Sequence, residues 1–176
     1  MSSTAGFLLT LAAMLVVPAC AATGPAAPHL GCELKVEGAR AGGPVRVQML
    51  LKNQGEKPLF ALTWGTPFEE GWMDTPFTLR GPDGAEIPFN GRMAKRGDPT
   101  RESYELVPAQ GSVEADADLA AVYDLSKPGQ YVLTTTRDLY DLVDDETQVP
   151  RARDHQHAAA LGCPPLTFTV APATAR

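Results

Sequence analysis

The chain has 176 residues, with 15 Lys and Arg against 21 Asp and Glu, for a formal net charge of −6. That length fits one domain with a substantial core. The acidic balance, with no basic block, argues against nucleic acid as a partner and against electrostatic attraction to an anionic membrane.

The first feature in chain order is Gly6 to Ala19 (GFLLTLAAMLVVPA), an apolar run too short for a permanent span and followed at once by small residues. That is the layout of a secretory signal, although Met1 to Ala19 contains no Lys or Arg to form a positive leader. Val17-Pro18-Ala19-Cys20 approximates a lipobox, which would lipidate Cys20. Cleavage after Ala19-Cys20-Ala21 is the rival, and the lipoprotein reading is preferred. The expected boundaries are a signal at 1–21, a flexible tether at 22–31, one domain at 32–171 and a tail at 172–176. The expected location is the periplasm or the outer membrane through a lipid on Cys20, with secretion as the alternative. Either processing route uses up Cys20 and leaves Cys32 and Cys163, an even pair expected to form a disulfide in an oxidising compartment.

Beyond Cys32 the hydrophobic period is two. Val45, Val47, Met49 and Leu51 alternate with Arg46, Gln48, Leu50 and Lys52, which reads as a half-buried strand. Strands are also expected at Leu59–Trp64, Phe77–Arg80, Ala85–Phe89, Ser103–Val107, Ser112–Asp118, Gln130–Thr136 and Leu166–Val170. Gly81-Pro82-Asp83-Gly84 predicts a hairpin, because Asp-Gly accepts the positive φ of such turns. Pro108-Ala109-Gln110-Gly111 predicts another. One helical turn each is expected at Leu119–Tyr123 and Leu139–Val143. Seven to nine short strands with regularly spaced turns point to an all-β fold, an antiparallel immunoglobulin-like sandwich, with a β-barrel as runner-up. Two stretches read as loops. Gly65–Thr75 carries Phe68 and Trp72, and the long loop at 137–162 ends in Arg151-Ala152-Arg153-Asp154-His155-Gln156-His157.

Catalytic constellations are wanting. No G-x-S-x-G elbow or H-E-x-x-H is present, and the cysteines form no C-x-x-C. His155 and His157 with Asp154 are the one arrangement that resembles metal ligands, but a zinc site needs three or four ligands fixed by ordered elements. The expectation is therefore no enzyme, no metal and no cofactor. Gly91–Tyr104 (GRMAKRGDPTRESY) is the unusual segment, with Arg92, Lys95, Arg96 and Arg101 in an otherwise acidic chain. It reads either as a solvated connection or as a binding loop on a rigid scaffold.

Several pieces between Val45 and Tyr131 are familiar in order: Leu51-Lys52-Asn53, Leu62 through Glu69 (LTWGTPFE), Ile87 through Gly91 (IPFNG), Lys95 through Pro99 (KRGDP), Tyr104-Glu105-Leu106 and Tyr123 through Tyr131 (YDLSKPGQY). Together they resemble the N-terminal propeptide domain of bacterial deuterolysin-like zinc proteases, the peptidyl-Lys metalloendopeptidase group. The resemblance implies a β-sandwich that faces a secreted metalloprotease, assisting its folding or blocking its active site. The sequence departs from the pattern in holding no protease domain, so the expectation is a free-standing inhibitor or folding helper. The cysteine pair and the 137–162 loop also fall outside the pattern. A lysine preference in the target would make Lys95 the anchor, with Arg96 adding charge steering, and Phe68 and Trp72 a second contact unless they pack into the sandwich. The competing expectation is a structural or adhesive envelope module.

Overall fold

In the computed structural model the described residues are 30–75 and 77–174. The signal at 1–21, Cys20 and most of the tether therefore lie outside the described residues. The fold is all-β. Among the described residues ten strands form three antiparallel sheets, and helix is limited to four short 3-10 turns.

The first sheet has the order β1 (Leu30–Val36), β2 (Arg46–Asn53), β7 (Ser112–Asp118). β1 starts at Leu30, so Leu30 and Gly31, read as the end of the tether, are strand. The second sheet runs β10 (Leu166–Val170), β8 (Gly129–Thr135), β4 (Phe77–Arg80), β5 (Glu86–Ile87). Between them lies one core. Val47, Met49 and Leu51 from β2 meet Leu79, Tyr131, Leu133, Phe168 and Val170 from the facing sheet. The alternation of β2 explains its orientation, since its inward residues are buried and Arg46 and Lys52 are exposed. Cys32 and Cys163 form a disulfide that joins β1 to the segment before β10. The bridge closes the sandwich near both ends of the described chain.

The third sheet has the order β6 (Tyr104–Val107), β3 (Leu59–Leu62), β9 (Leu142–Val143). All four residues of β3 are buried. Leu59 and Ala61 belong to the main core, whereas Phe60 and Leu62 join Tyr104 and Val143 in a second, smaller one. A continuous apolar run is the signature of a strand covered on both faces. The second cover is the 137–162 segment itself, which contributes β9, Tyr140 and Val149.

Three local expectations are corrected. Pro108–Gly111 is a turn but not a hairpin, because β6 pairs with β3 and β7 pairs with β2. The ladder from Arg46↔Asp118 to Lys52↔Ser112 resumes from Leu59↔Val107 to Leu62↔Tyr104. The two turns lie side by side, Asn53 N–H donating to Gly111 O at 2.9 Å and Gln110 N–H to Gly55 O at 3.1 Å. They are bends in one long two-stranded ribbon that passes from one sheet to the next, a corner of the kind that strands make by bulging. Leu139–Val143 forms strand rather than a helical turn, because the free edge of β3 takes up Leu142 and Val143. The strand at Ala85–Phe89 shrinks to Glu86–Ile87, since only Leu79 and Arg80 pair with it. The turn at 119–123 does form, as a 3-10 turn at Leu119–Ala121 whose Ala120 N–H is capped by Asp118 Oδ1 at 3.0 Å.

Candidate functional site

The loop after β3 is built around one carboxylate. Glu69 accepts from the backbone N–H groups of Gly65 at 2.8 Å and Met73 at 3.3 Å, closing residues 65–73 into a compact turn. Gly65 has a φ of 73°, a left-handed conformation that glycine adopts without strain. Trp72 turns its ring inward, where its indole N–H donates to Gly65 O at 3.1 Å and its ring meets Phe77 edge to face. Phe68 is partly buried and packs on the same core. The structure thus places both aromatics against the sandwich, Trp72 in the core and Phe68 at its margin.

Arg96 comes from the distant Gly91–Tyr104 segment and completes this turn. Its guanidinium forms a forked ion pair with both oxygens of Glu69, donates to Met73 O at 2.6 Å and lies over the Trp64 ring at 5.1 Å. The side chains of the pair are only 16% and 7% exposed, so Arg96 is a clamp and its charge is neutralised within the domain. Two further bonds pin the segment from the 137–162 side. Arg153 donates its N–H to Asp98 Oδ1 at 3.0 Å and its side chain to Arg96 O at 2.7 Å. Lys95, between these fixed points, is exposed. A groove of about 560 Å³ runs beside it, lined by Trp64, Ala94, Lys95, Arg96, Tyr140 and Arg153.

Next to the clamp, Asp74 sits at a φ of 125°, a conformation side chains rarely adopt. Arg137 at 2.8 Å and the Tyr140 hydroxyl at 2.9 Å hold its Oδ2. Burial works against its charge, but hydrogen bonds from Thr75 N–H, Tyr140 and Arg137 outweigh it and hold the carboxyl below its ordinary value. Burial, then Asp74, push the Tyr140 phenol upward. A second buried carboxylate, Asp141 at 0% exposure, organises the long segment. It accepts from Tyr104 Oη at 2.8 Å, Arg151 Nη1 at 3.1 Å and His157 N–H at 2.9 Å. Burial, helped by Asp141, raises the Tyr104 phenol to about 12, so it stays a donor throughout the neutral range.

These contacts spread the histidines away from any shared site. His157 Nδ1 lies 3.2 Å from the Arg151 guanidinium, and the His155 ring lies 3.8 Å from the Asp154 carboxylate. Among the described residues no group of three or more His, Cys, Asp or Glu is placed to hold a metal ion. Sequence reasoning passed over Glu69 and Met93. Glu69 closed one of the familiar pieces and Arg96 stood in another, and the fold brings the two together. Met93 is 73% exposed, the most exposed large hydrophobic side chain of the described residues.

No family model matches the chain. It is 34% identical over 148 residues to an extracellular protease of Aeromonas hydrophila, covering 84% of this chain and 39% of that protein. A neutral protease 2 homologue of Arthroderma gypseum is 34% identical over 132 residues, covering 74% of this chain and 35% of the relative. A probable neutral protease 2 homologue of Arthroderma benhamiae is 33% identical over 129 residues, with 72% and 35% covered. The chain thus spans between a third and two fifths of the length of these relatives and is related to a portion of proteases, one of them extracellular by name. The disulfide between Cys32 and Cys163 agrees with an exported, oxidising setting.

Proposed function

We propose that this chain is a non-enzymatic, propeptide-like domain that binds a secreted zinc metalloprotease of the deuterolysin type and blocks its cleft, in cis or in trans. The observation that carries the reading is the match of 84% of the chain to 39% of an extracellular protease, together with the resemblance of its ordered pieces to the propeptide region. The geometry supports it. A blocking domain needs an exposed segment that does not yield, and the clamp of Arg96 with Glu69 and the Arg153 bonds hold Lys95 on such a segment. Lys95 is the anchor in this reading, its ammonium entering an acidic pocket. Arg96 acts from behind as the residue that positions it. Anchorage through a lipid on Cys20 is part of the proposal, and a labelled fatty acid appearing on the wild-type chain but not on Cys20→Ala would support it.

The test is a titration of the exported chain into the catalytic domain of a lysine-preferring neutral protease. Stoichiometric loss of activity is expected, weakened tenfold or more by Lys95→Ala, as for an interface hot spot. Full activity at large excess, with the chain left intact, would refute the blocking role and favour a structural envelope module.

A further inference from the structure

The segment that carries Lys95 has a further regularity. From Met93 to Gly97 the residues alternate exposed, half-buried, exposed, half-buried, exposed. Alternation with period two is the mark of an extended chain, whose successive side chains point to opposite sides. Ala94 and Arg96 are the half-buried pair, Arg96 meeting Glu69, while Lys95 lines the same groove as they do from an exposed position. Met93 and Lys95 face outward together. No hydrogen bond within the described residues engages Met93, Ala94 or Lys95, and the pinned main-chain group next to them is Arg96 O. An extended stretch with unused main-chain donors and acceptors is a template for strand addition.

Met93 makes the pattern specific. A methionine left 73% exposed forgoes most of the stabilisation that burial of such a side chain provides. Its unbranched, polarizable chain adapts to irregular apolar pockets. It stands two residues from the cation, and both are exposed.

We propose that residues 91–97 dock as an added strand in the partner's cleft, with Met93 and Lys95 entering two pockets on one wall, the first apolar and the second acidic. This deepens the reading of the chain as a protease-blocking domain and rests on it. The partner it describes is a protease with an apolar pocket and an acidic pocket at alternate subsites, served by two prongs on a stem that Arg96 keeps in place.

The experiment measures inhibition of the same catalytic domain by wild type, Met93→Ser, Met93→Leu, Lys95→Ala and the exchange Met93→Lys/Lys95→Met. Amide hydrogen exchange of residues 91–97 is followed in the complex. Met93→Ser should weaken inhibition at least tenfold and Met93→Leu should retain it. The exchange variant, of unchanged composition, should lose at least a hundredfold, and the amides of residues 93–95 should gain protection. Because Met93 is exposed, each variant should melt with wild type, which separates binding from folding. Strong wild-type inhibition with Met93→Ser within threefold of it, or amides unprotected in the complex, overturns the two-pronged strand and leaves the blocking role intact. Absence of wild-type inhibition overturns both.

Discussion

Replacing Glu69 by Ala removes the centre of the clamp, and the structure allows the effect to be sized. The carboxylate satisfies Gly65 N–H and Met73 N–H and pairs with a guanidinium that is 16% exposed. Two backbone donors in partly buried positions lose about 1 kcal/mol each. The unpaired cation adds a further 1.5–3 kcal/mol or so, eased by the Met73 carbonyl and Trp64 face that Arg96 keeps. The sum is about 3.5–5 kcal/mol, on the order of a 10 °C fall in melting temperature for a domain of this size. Glu69→Gln keeps an oxygen for both N–H groups, which reach the same Oε2, but not the charge, and should fall between. Denaturant unfolding followed by Trp fluorescence measures the stability. Brief trypsin digestion, with cleavage mapped by mass spectrometry, reports whether the released segment is cut after Lys95 or Arg96. Glu69→Ala should be cut there far sooner than wild type, and under the proposed blocking role it should become a substrate of the protease. A stability loss below about 1 kcal/mol, with the segment still resistant, would refute the assignment of Glu69 and Arg96 as the clamp.

Tyr104→Phe should cost about 2–3 kcal/mol, because it leaves one oxygen of the buried Asp141 without its donor; hydrogen exchange should show the loss concentrated in residues 137–162. The Asp74 carboxyl is held below its ordinary value of 3.8, so its contribution to stability is present above that pH and disappears as pH falls through the lower, folded value. Asp74→Asn should therefore be less stable than wild type at pH 7, and the gap should close as pH falls through the lowered, folded value in acid unfolding curves; a constant gap would exclude this carboxylate as the source. Replacing Cys32 and Cys163 by Ser opens a loop spanning a sequence separation of 131 and should cost about 4–5 kcal/mol, read as the difference from wild type in non-reducing denaturation.

Much of the fold was legible in the chain because its signals are local. Val47, Met49 and Leu51 alternate with polar neighbours, which fixes the strand and its inward face whatever it pairs with. Asp83-Gly84 dictates its hairpin, Gly84 taking a φ of 77°. The cysteine pair follows from count and compartment. The site was legible only in part. Lys95 stands out by charge in a Gly- and Pro-rich segment, but nothing local distinguishes it from Arg96, one residue on.

What separates the two is tertiary. Glu69 lies 27 residues away from Arg96 in sequence, and only the packing of two loops against Trp64 turns one cation into a buried clamp and leaves the other exposed. The same holds for Pro108–Gly111, where sequence marks a change of direction but the identity of each strand's partner is a competition settled by which edges are free. The 137–162 segment looked like a loop because its anchors, Asp141, Val143 and Tyr140, are spaced irregularly. Each acquires its meaning from a surface elsewhere: β3's second face, the Tyr104 hydroxyl and Asp74. Periodicity and turn chemistry are properties of neighbours along the chain, so the sequence determined the strands and the class of fold. Burial and pairing of charges depend on neighbours across space, so the tertiary structure decided which charged residues are built into the scaffold and which stand exposed.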